Sequence, residues 1–206
     1  MRTEPVAHRS RRLWKGALLV LVLLPLVPEI LILAASAYAA ASGCEVQSTV
    51  ACAVGPPSVT NVIRGSLQVA AVIGKEFADD NVVLVWLALC YVLIVLGWTR
   101  LSSRLLLALG TSLILAILPY FGPILAIGPL ANPKCNPNEG GIPPECMIYG
   151  GNVGEPAHEA VRLGWKFFYG APVAIAAFVV FALAVTAMHF AAKRRQSSAA
   201  AQDRSI

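Results

Sequence analysis

The chain has 206 residues, of which 57% are hydrophobic and only 13% are charged. A soluble globular domain carries about 25% charged residues, so this composition excludes a water-soluble fold. Apolar blocks of spanning length recur along the chain, which excludes a disordered or collagen-like protein. We therefore predict an all-α polytopic membrane protein with four transmembrane helices that form two hairpins.

Four apolar stretches are long enough to cross a bilayer core about 30 Å thick, which takes roughly 20 helical residues. The four predicted spans are 17–40, 82–99, 105–131 and 167–190. A loop at 41–81, a turn at 100–104 and a second loop at 132–166 join them in that order. A basic N-terminus at 1–16 precedes the first span, and a tail at 191–206 follows the last. The tail is short and polar, so we expect it to be disordered.

Charge orients these spans. Eleven of the sixteen cations lie at the two termini and in the turn, and the other five lie in the two loops, which also hold eight of the eleven acids. The positive-inside rule then places both termini in the cytoplasm. We expect a multi-pass protein of the bacterial inner membrane, with periplasmic loops. The net charge of +5 reflects this asymmetry and does not indicate a nucleic-acid partner.

The N-terminal segment allows two other interpretations. Its arginines before an apolar run resemble an export signal, and the alanines of 34–41 offer a cleavage site. Lipidation of Cys44 is a further alternative. We favour an uncleaved helix, because the apolar run is long enough to span and Glu29 interrupts it.

The first loop contains an amphipathic helix at about 58–77. Ser58 follows two prolines and is a good N-cap residue. Polar and apolar residues recur after it at helical spacing. The polar ones are Asn61, Arg64, Gln68 and Lys75, and the apolar ones are Val62, Ile63, Val69, Val72, Ile73 and Phe77. We expect this helix to lie on the membrane surface or on the bundle.

Four of the five cysteines lie in the loops. Cys44 and Cys52 are in the first, and Cys135 and Cys146 are in the second. An oxidising periplasm favours one disulfide within each loop, although four cysteines allow three pairings. Each short bridge would stabilise its loop by about 2–3 kcal/mol. Cys90, inside the second span, is interpreted as a packing residue.

Four spans with a cysteine pair in each of two periplasmic loops resemble the quinone-linked DsbB-type thiol oxidases. The resemblance implies that the first pair exchanges electrons with quinone and that the second oxidises a periplasmic partner. That family has a Cys-x-x-Cys pair in the first loop, whereas seven residues separate Cys44 from Cys52 here. The wider spacing favours structural bridges over exchangeable ones.

Glu29 is the most unusual residue within a predicted span. An acid at the membrane midplane must be neutral, paired or in contact with water. We predict a protonated Glu29 that bonds a carbonyl freed by Pro28 or the hydroxyl of Tyr120. Pro119 and Pro123 predict a break in the third span near 119–123. This candidate site suits proton or ion coupling, or a structural or assembly contact.

No catalytic, metal-binding or cofactor-binding motif is present, and Glu155 with His158 makes only one step of a di-iron pattern. We therefore expect no cofactor and no metal. The favoured function is structural or accessory, with the periplasmic loops contacting a partner. The alternatives are a small proton- or ion-coupled transporter that uses Glu29 and a DsbB-like thiol oxidase. Expected partners are the lipid bilayer and a membrane or periplasmic protein or a second copy of the chain.

Overall fold

The structure, a computed structural model, describes residues 4–46, 52, 58–130, 135, 142 and 145–203. Its helices are α1 (Glu4–Leu23), α2 (Val27–Ala41), α3 (Val59–Glu76), α4 (Asp80–Gly97), α5 (Leu101–Ile127), α6 (Gly154–Arg162) and α7 (Phe167–Asp203). Short 3-10 turns cover Leu24–Leu26, Gly128–Leu130 and Leu163–Lys166. Strands β1 (Met147–Ile148) and β2 (Gly151–Asn152) form one antiparallel hairpin.

Four helical segments are long and apolar enough to cross a membrane: Ser10–Ala41, Asp80–Gly97, Leu101–Leu130 and Gly154–Ser198. This number and the helical fold class confirm the sequence prediction. The outer surfaces of these segments expose many large apolar side chains, including Val20, Leu106, Val180 and Leu183. Such surfaces suit a lipid environment, in which there is no water to penalise them.

The buried residues form two separate hydrophobic cores. The bundle core lies among α1, α4, α5 and α7, and it includes Leu18, Leu87, Cys90, Ile94, Leu115, Tyr120 and Ala174. The second core lies among α2, α3, α6, the end of α5 and the β-hairpin, a region that we call the cap. The cap core includes Ile32, Ile63, Leu67, Ile127, Ile148, Tyr149, Val153 and the buried cysteines. The chain therefore builds one core within the helix bundle and another at its end.

Helix α3 begins as predicted, because Ser58 caps it by accepting a hydrogen bond from the backbone N–H of Asn61 at 3.4 Å. It packs on the bundle, against α2, α5 and α6. Two residues of the predicted apolar face, Val69 and Val72, do not pack within the protein and are 52% and 60% exposed. The buried line is instead Val59, Ile63, Leu67, Ala70 and Gly74. The small residues Ala70 and Gly74 in this line let α3 approach its neighbours closely. The spacing of polar and apolar residues did not predict that the small residues would be buried.

The predicted break at 119–123 is absent, because α5 runs as one α-helix through Pro119 and Pro123. Both prolines are buried, and the carbonyl of Pro119 lies close to Gly74 of α3. The first span is the interrupted one: a 3-10 turn with Pro25 in its middle separates α1 from α2.

The predicted disorder of the tail is also wrong, since α7 continues to Asp203. Alanine, lysine, arginine and glutamine dominate this stretch, and all four have high helix propensity. The hydroxyls of Ser197 and Ser198 donate to the carbonyls of Lys193 and Arg194, one turn earlier. Polarity therefore did not prevent the helix from extending.

Candidate functional site

Two disulfides lie in the cap. One joins Cys44 to Cys52, with 5.9 Å between the Cα atoms, and the other joins Cys135 to Cys146, with 4.8 Å. Each bridge stays within its own loop, the pairing that the sequence favoured. Cys135 and Cys146 are fully buried and Cys52 is 7% exposed. Three of the four bridged cysteines are therefore packed inside the cap core.

Tyr149 connects the two loops to each other. Its backbone N–H donates to the carbonyl of Val46 at 2.9 Å, and its carbonyl accepts from the N–H of Cys52 at 3.3 Å. The same carbonyl accepts from the hydroxyl of Thr60 on α3 at 3.1 Å, and the Tyr149 hydroxyl donates to the carbonyl of Ser36 on α2 at 3.4 Å. Burial raises the pKa of Tyr149, so its hydroxyl stays a donor at neutral pH.

Sequence reasoning missed Tyr149, although one local signal for the hairpin was present. Tyr149 and Gly150 sit between the two strands with φ angles of 50° and 77°. Two consecutive positive φ angles are typical of the tight type I′ hairpin turn. The adjacent Gly151 lies directly against Thr60, with no room for a Cβ atom. The sequence Tyr149-Gly150-Gly151 therefore indicates a tight turn that packs directly against α3.

His158 holds the second loop to α6. Its Nδ1 lies 3.0 Å from the carbonyl of Ile142 in the second loop. Within the part of the chain that the structure describes, no group of three or more His, Cys, Asp or Glu side chains could hold a metal ion. His158 is thus a structural residue of the cap.

Glu29 lies in the first turn of α2 and is 8% exposed. Its side chain packs against Gly122 of α5, where a Cβ atom would lie 2.8 Å from Glu29 Cγ. Among the described residues, no hydrogen-bond partner is found for Glu29 Oε2. The glycine therefore provides the space for this carboxyl group, and one of its oxygens is buried without a partner.

An apolar groove of about 250 Å³ lies beside this carboxyl group, between α2 and α5. Its lining is Leu26, Glu29, Ile30, Leu33, Leu118, Gly122, Leu125 and Ala126. Glu29 is the only ionisable residue in that lining. The groove thus offers a proton no chain of polar groups along which to move.

Tyr120 does not bond Glu29, contrary to one of the predicted alternatives. Its side chain is fully buried, and its hydroxyl donates to the carbonyl of Phe77 at 2.6 Å. The hydroxyl also lies directly against Gly170 of α7. Pro119 turns its carbonyl towards Gly74 of α3, where a Cβ atom would lie 3.2 Å away. Tyr120 and Pro119 therefore face α3 and α7, and the four predicted site residues do not form one cluster.

Replacing Glu29 with methionine should stabilise the protein by about 1–2 kcal/mol, because a side chain of similar shape then occupies the site without an unpaired polar atom. The measurement is the free energy of unfolding in detergent micelles. Glu155→Met is the matched control: Glu155 is also in the first turn of its helix but is exposed, and we expect a change within about 0.5 kcal/mol. A destabilised Glu29→Met protein would contradict this interpretation.

Comparison of the chain with protein-family models, with curated proteins and with solved structures finds no match.

Proposed function

We propose that the chain is a structural or accessory protein of the bacterial inner membrane, with both termini in the cytoplasm, whose cap binds a protein partner in the periplasm. The observation that carries this proposal is the cap core. A chain that needed only to span the bilayer would not require a second buried core with two disulfides. Disulfides persist in oxidising compartments, which supports a periplasmic cap.

The distribution of charge supports the same orientation. Arg11, Arg12 and Lys15 on α1 lie at the same end of the bundle as Arg100, since Lys15 packs against Trp98. Seven exposed acids of the described residues lie at the other end, on the cap or at the adjoining start of α4: Glu45, Glu76, Asp79, Asp80, Glu145, Glu155 and Glu159. The positive-inside rule, which counts Lys and Arg, then favours a cytoplasmic position for the cationic end of the bundle.

The surface that we assign to the partner is the free face of α3. Val69 and Val72 are more than half exposed there, beside the polar residues Gln68 and Lys75. An apolar groove of about 500 Å³ lies beside this face, but residues 24–31 at the middle of the first span form its other wall, so we do not assign the groove to the periplasmic partner. Exposed apolar side chains rimmed by polar ones are typical of protein interfaces. The cap thus has a surface suited to a partner.

The two alternative functions receive less support from the geometry. Thiol exchange requires an attacking thiolate to reach a disulfide sulfur, and Cys135 and Cys146 are fully buried. Proton-coupled transport requires polar groups along a path, and Glu29 lies in an otherwise apolar groove. We therefore keep the accessory function as the proposal.

The proposed orientation can be tested with two introduced cysteines, Glu155→Cys on the cap and Arg195→Cys on α7. Both positions are exposed, and the native cysteines are bridged or buried. A membrane-impermeant maleimide added to intact spheroplasts should label the first variant and not the second until the cells are lysed. The opposite labelling pattern would overturn the orientation.

The proposed partner contact can be tested by photocrosslinking in intact membranes. A photoreactive amino acid at Val69 should give one discrete protein adduct, which co-purifies after mild detergent extraction. The same group at Val180, which is 68% exposed on α7, serves as a lipid-facing control and should give none. Recovery of the Val69 variant as an uncrosslinked monomer would count against the proposal.

A further inference from the structure

A cavity of about 270 Å³ lies at the end of the bundle remote from the cap, between the start of α1 and the turn from α4 to α5. Four of its lining residues are cations: Arg11, Arg12, Lys15 and Arg100. The hydroxyl-bearing residues Thr99 and Ser103 complete the polar part of the lining. No acidic residue lines this cavity, so it is strongly positive.

The four cations are not neutralised within the described part of the chain, where none of them has an ion-pair partner. Arg104, by contrast, has a structural role, because its guanidinium donates hydrogen bonds to the carbonyls of Trp98 at 2.7 Å and Val95 at 2.9 Å. Lys15 places its ammonium 5.1 Å from the centre of the Trp98 ring. Four like charges around one cavity repel each other, so an anion bound there would be favoured.

An apolar groove of about 410 Å³ begins where the cationic cavity ends, because both share Lys15 and Trp98. It runs between α1 and α5 and is lined by apolar residues such as Leu18, Val22, Leu107 and Ile114, together with Gly110. A Cβ atom at Gly110 would meet no other atom within 4 Å. The groove extends roughly 10–12 Å along the helices at 1.5 Å per residue, towards the cap.

We propose that the cationic cavity and this groove together form one binding site for an anionic phospholipid. The phosphate lies among Arg11, Arg12 and Arg100, and an acyl chain lies in the groove beside Gly110. The combination selects the ligand: a soluble anion would use only the cavity, and an apolar helix would use only the groove. Cationic pockets between spans on the cytoplasmic side are suited to lipid headgroups. This proposal rests on the proposed orientation in one respect: the orientation decides which leaflet of the bilayer supplies the lipid.

The test uses the full chain, delipidated in a neutral detergent, and native mass spectrometry to measure lipid binding. The probes are dioleoyl phosphatidylglycerol, dioleoyl phosphatidylcholine with the same acyl chains, and glycerol 3-phosphate as the headgroup without chains. We expect the phosphatidylglycerol to bind at least tenfold more tightly than either of the others. Equal affinity for the two lipids would overturn the proposal, and so would glycerol 3-phosphate binding as tightly as phosphatidylglycerol.

Two sets of variants locate the site. Combining Arg12→Gln with Arg100→Gln should weaken phosphatidylglycerol binding about tenfold or more, whereas Arg194→Gln with Arg195→Gln removes the same charge from exposed positions on α7 and should change it less than twofold. Gly110→Leu places a branched side chain at the groove, where its Cβ atom meets no other atom within 4 Å, and should also weaken binding at least fivefold. An equal loss in the α7 pair, or unchanged binding in Gly110→Leu, would overturn the proposal. Because these measurements are made in detergent, they do not depend on the partner of the cap.

Discussion

Replacing both Cys135 and Cys146 with serine should lower the free energy of unfolding of the cap by about 3 kcal/mol. The chain-entropy estimate for a loop closed over a sequence separation of 11 has this size. Both side chains are fully buried, and each serine hydroxyl would then need a partner in an apolar core. The measurement is denaturant unfolding in detergent, followed by the fluorescence of Trp165, just after α6, in a background where Trp14, Trp86 and Trp98 are replaced by phenylalanine.

The control for this experiment is Cys90→Ala, which removes a buried thiol from the bundle core without opening a cross-link. Its expected cost is about 1 kcal/mol. An equal loss in the control and the double variant would show that burial, and not the bridge, stabilises the cap. The same double variant bears on the thiol oxidase alternative: a native bridge between Cys135 and Cys146 that a small thiol reduces readily without denaturant would favour redox chemistry over a structural role.

The coarse architecture was predictable because it follows from local composition. Length and hydropathy identify four spanning helices, Ser58 marks the start of α3 through its capping side chain, and the spacing of the cysteines favours one bridge in each loop. Each of these inferences uses residues that are close together in the sequence. The structure agrees with all three.

The predicted disorder of the tail was a local error, since helix propensity outweighed polarity there. The other errors concern contacts between residues that are far apart in the sequence. Pro119 and Pro123 predict a break by local rules, but the helices packed around them allow α5 to continue. A bond from Glu29 to Tyr120 was one of two predicted alternatives, since the two lie at similar depth, yet a residue's depth does not specify the helix face that it occupies. Glu29 packs against Gly122, whereas Tyr120 bonds the carbonyl of Phe77, 43 residues away in the sequence.

Tyr149 shows the same limit in the cap. Its four hydrogen bonds reach α2, α3 and, twice, the segment of the Cys44–Cys52 bridge, and the sequence offered only a Tyr-Gly-Gly turn as a signal. A residue that joins its own loop to three other segments, with three of its four hydrogen bonds made by its backbone, can be recognised only when those segments are already assembled. The cap core therefore emerged from the structure and not from the pattern of the second loop.

Replacing Gly170 with alanine should destabilise the bundle by about 3 kcal/mol or more. A Cβ atom at this position would overlap the hydroxyl of Tyr120, which cannot move freely because it is fully buried and bonded to the carbonyl of Phe77. Overpacking costs about 1–3 kcal/mol, and loss of a buried hydrogen bond adds about 1–3 kcal/mol. The free energy of unfolding in mixed micelles is the appropriate measurement.

Gly110→Ala is the matched control for this prediction, because Gly110 also lies in a spanning helix but a Cβ atom there meets nothing within 4 Å. We expect it to be neutral or to stabilise the helix by up to about 1 kcal/mol. Tyr120→Phe removes the atom that the new methyl group would meet first, so the double variant Gly170→Ala, Tyr120→Phe should lose less stability than the two single losses added together. If the two losses of stability were strictly additive in this double-mutant cycle, the contact between Tyr120 on α5 and Gly170 on α7 would be contradicted.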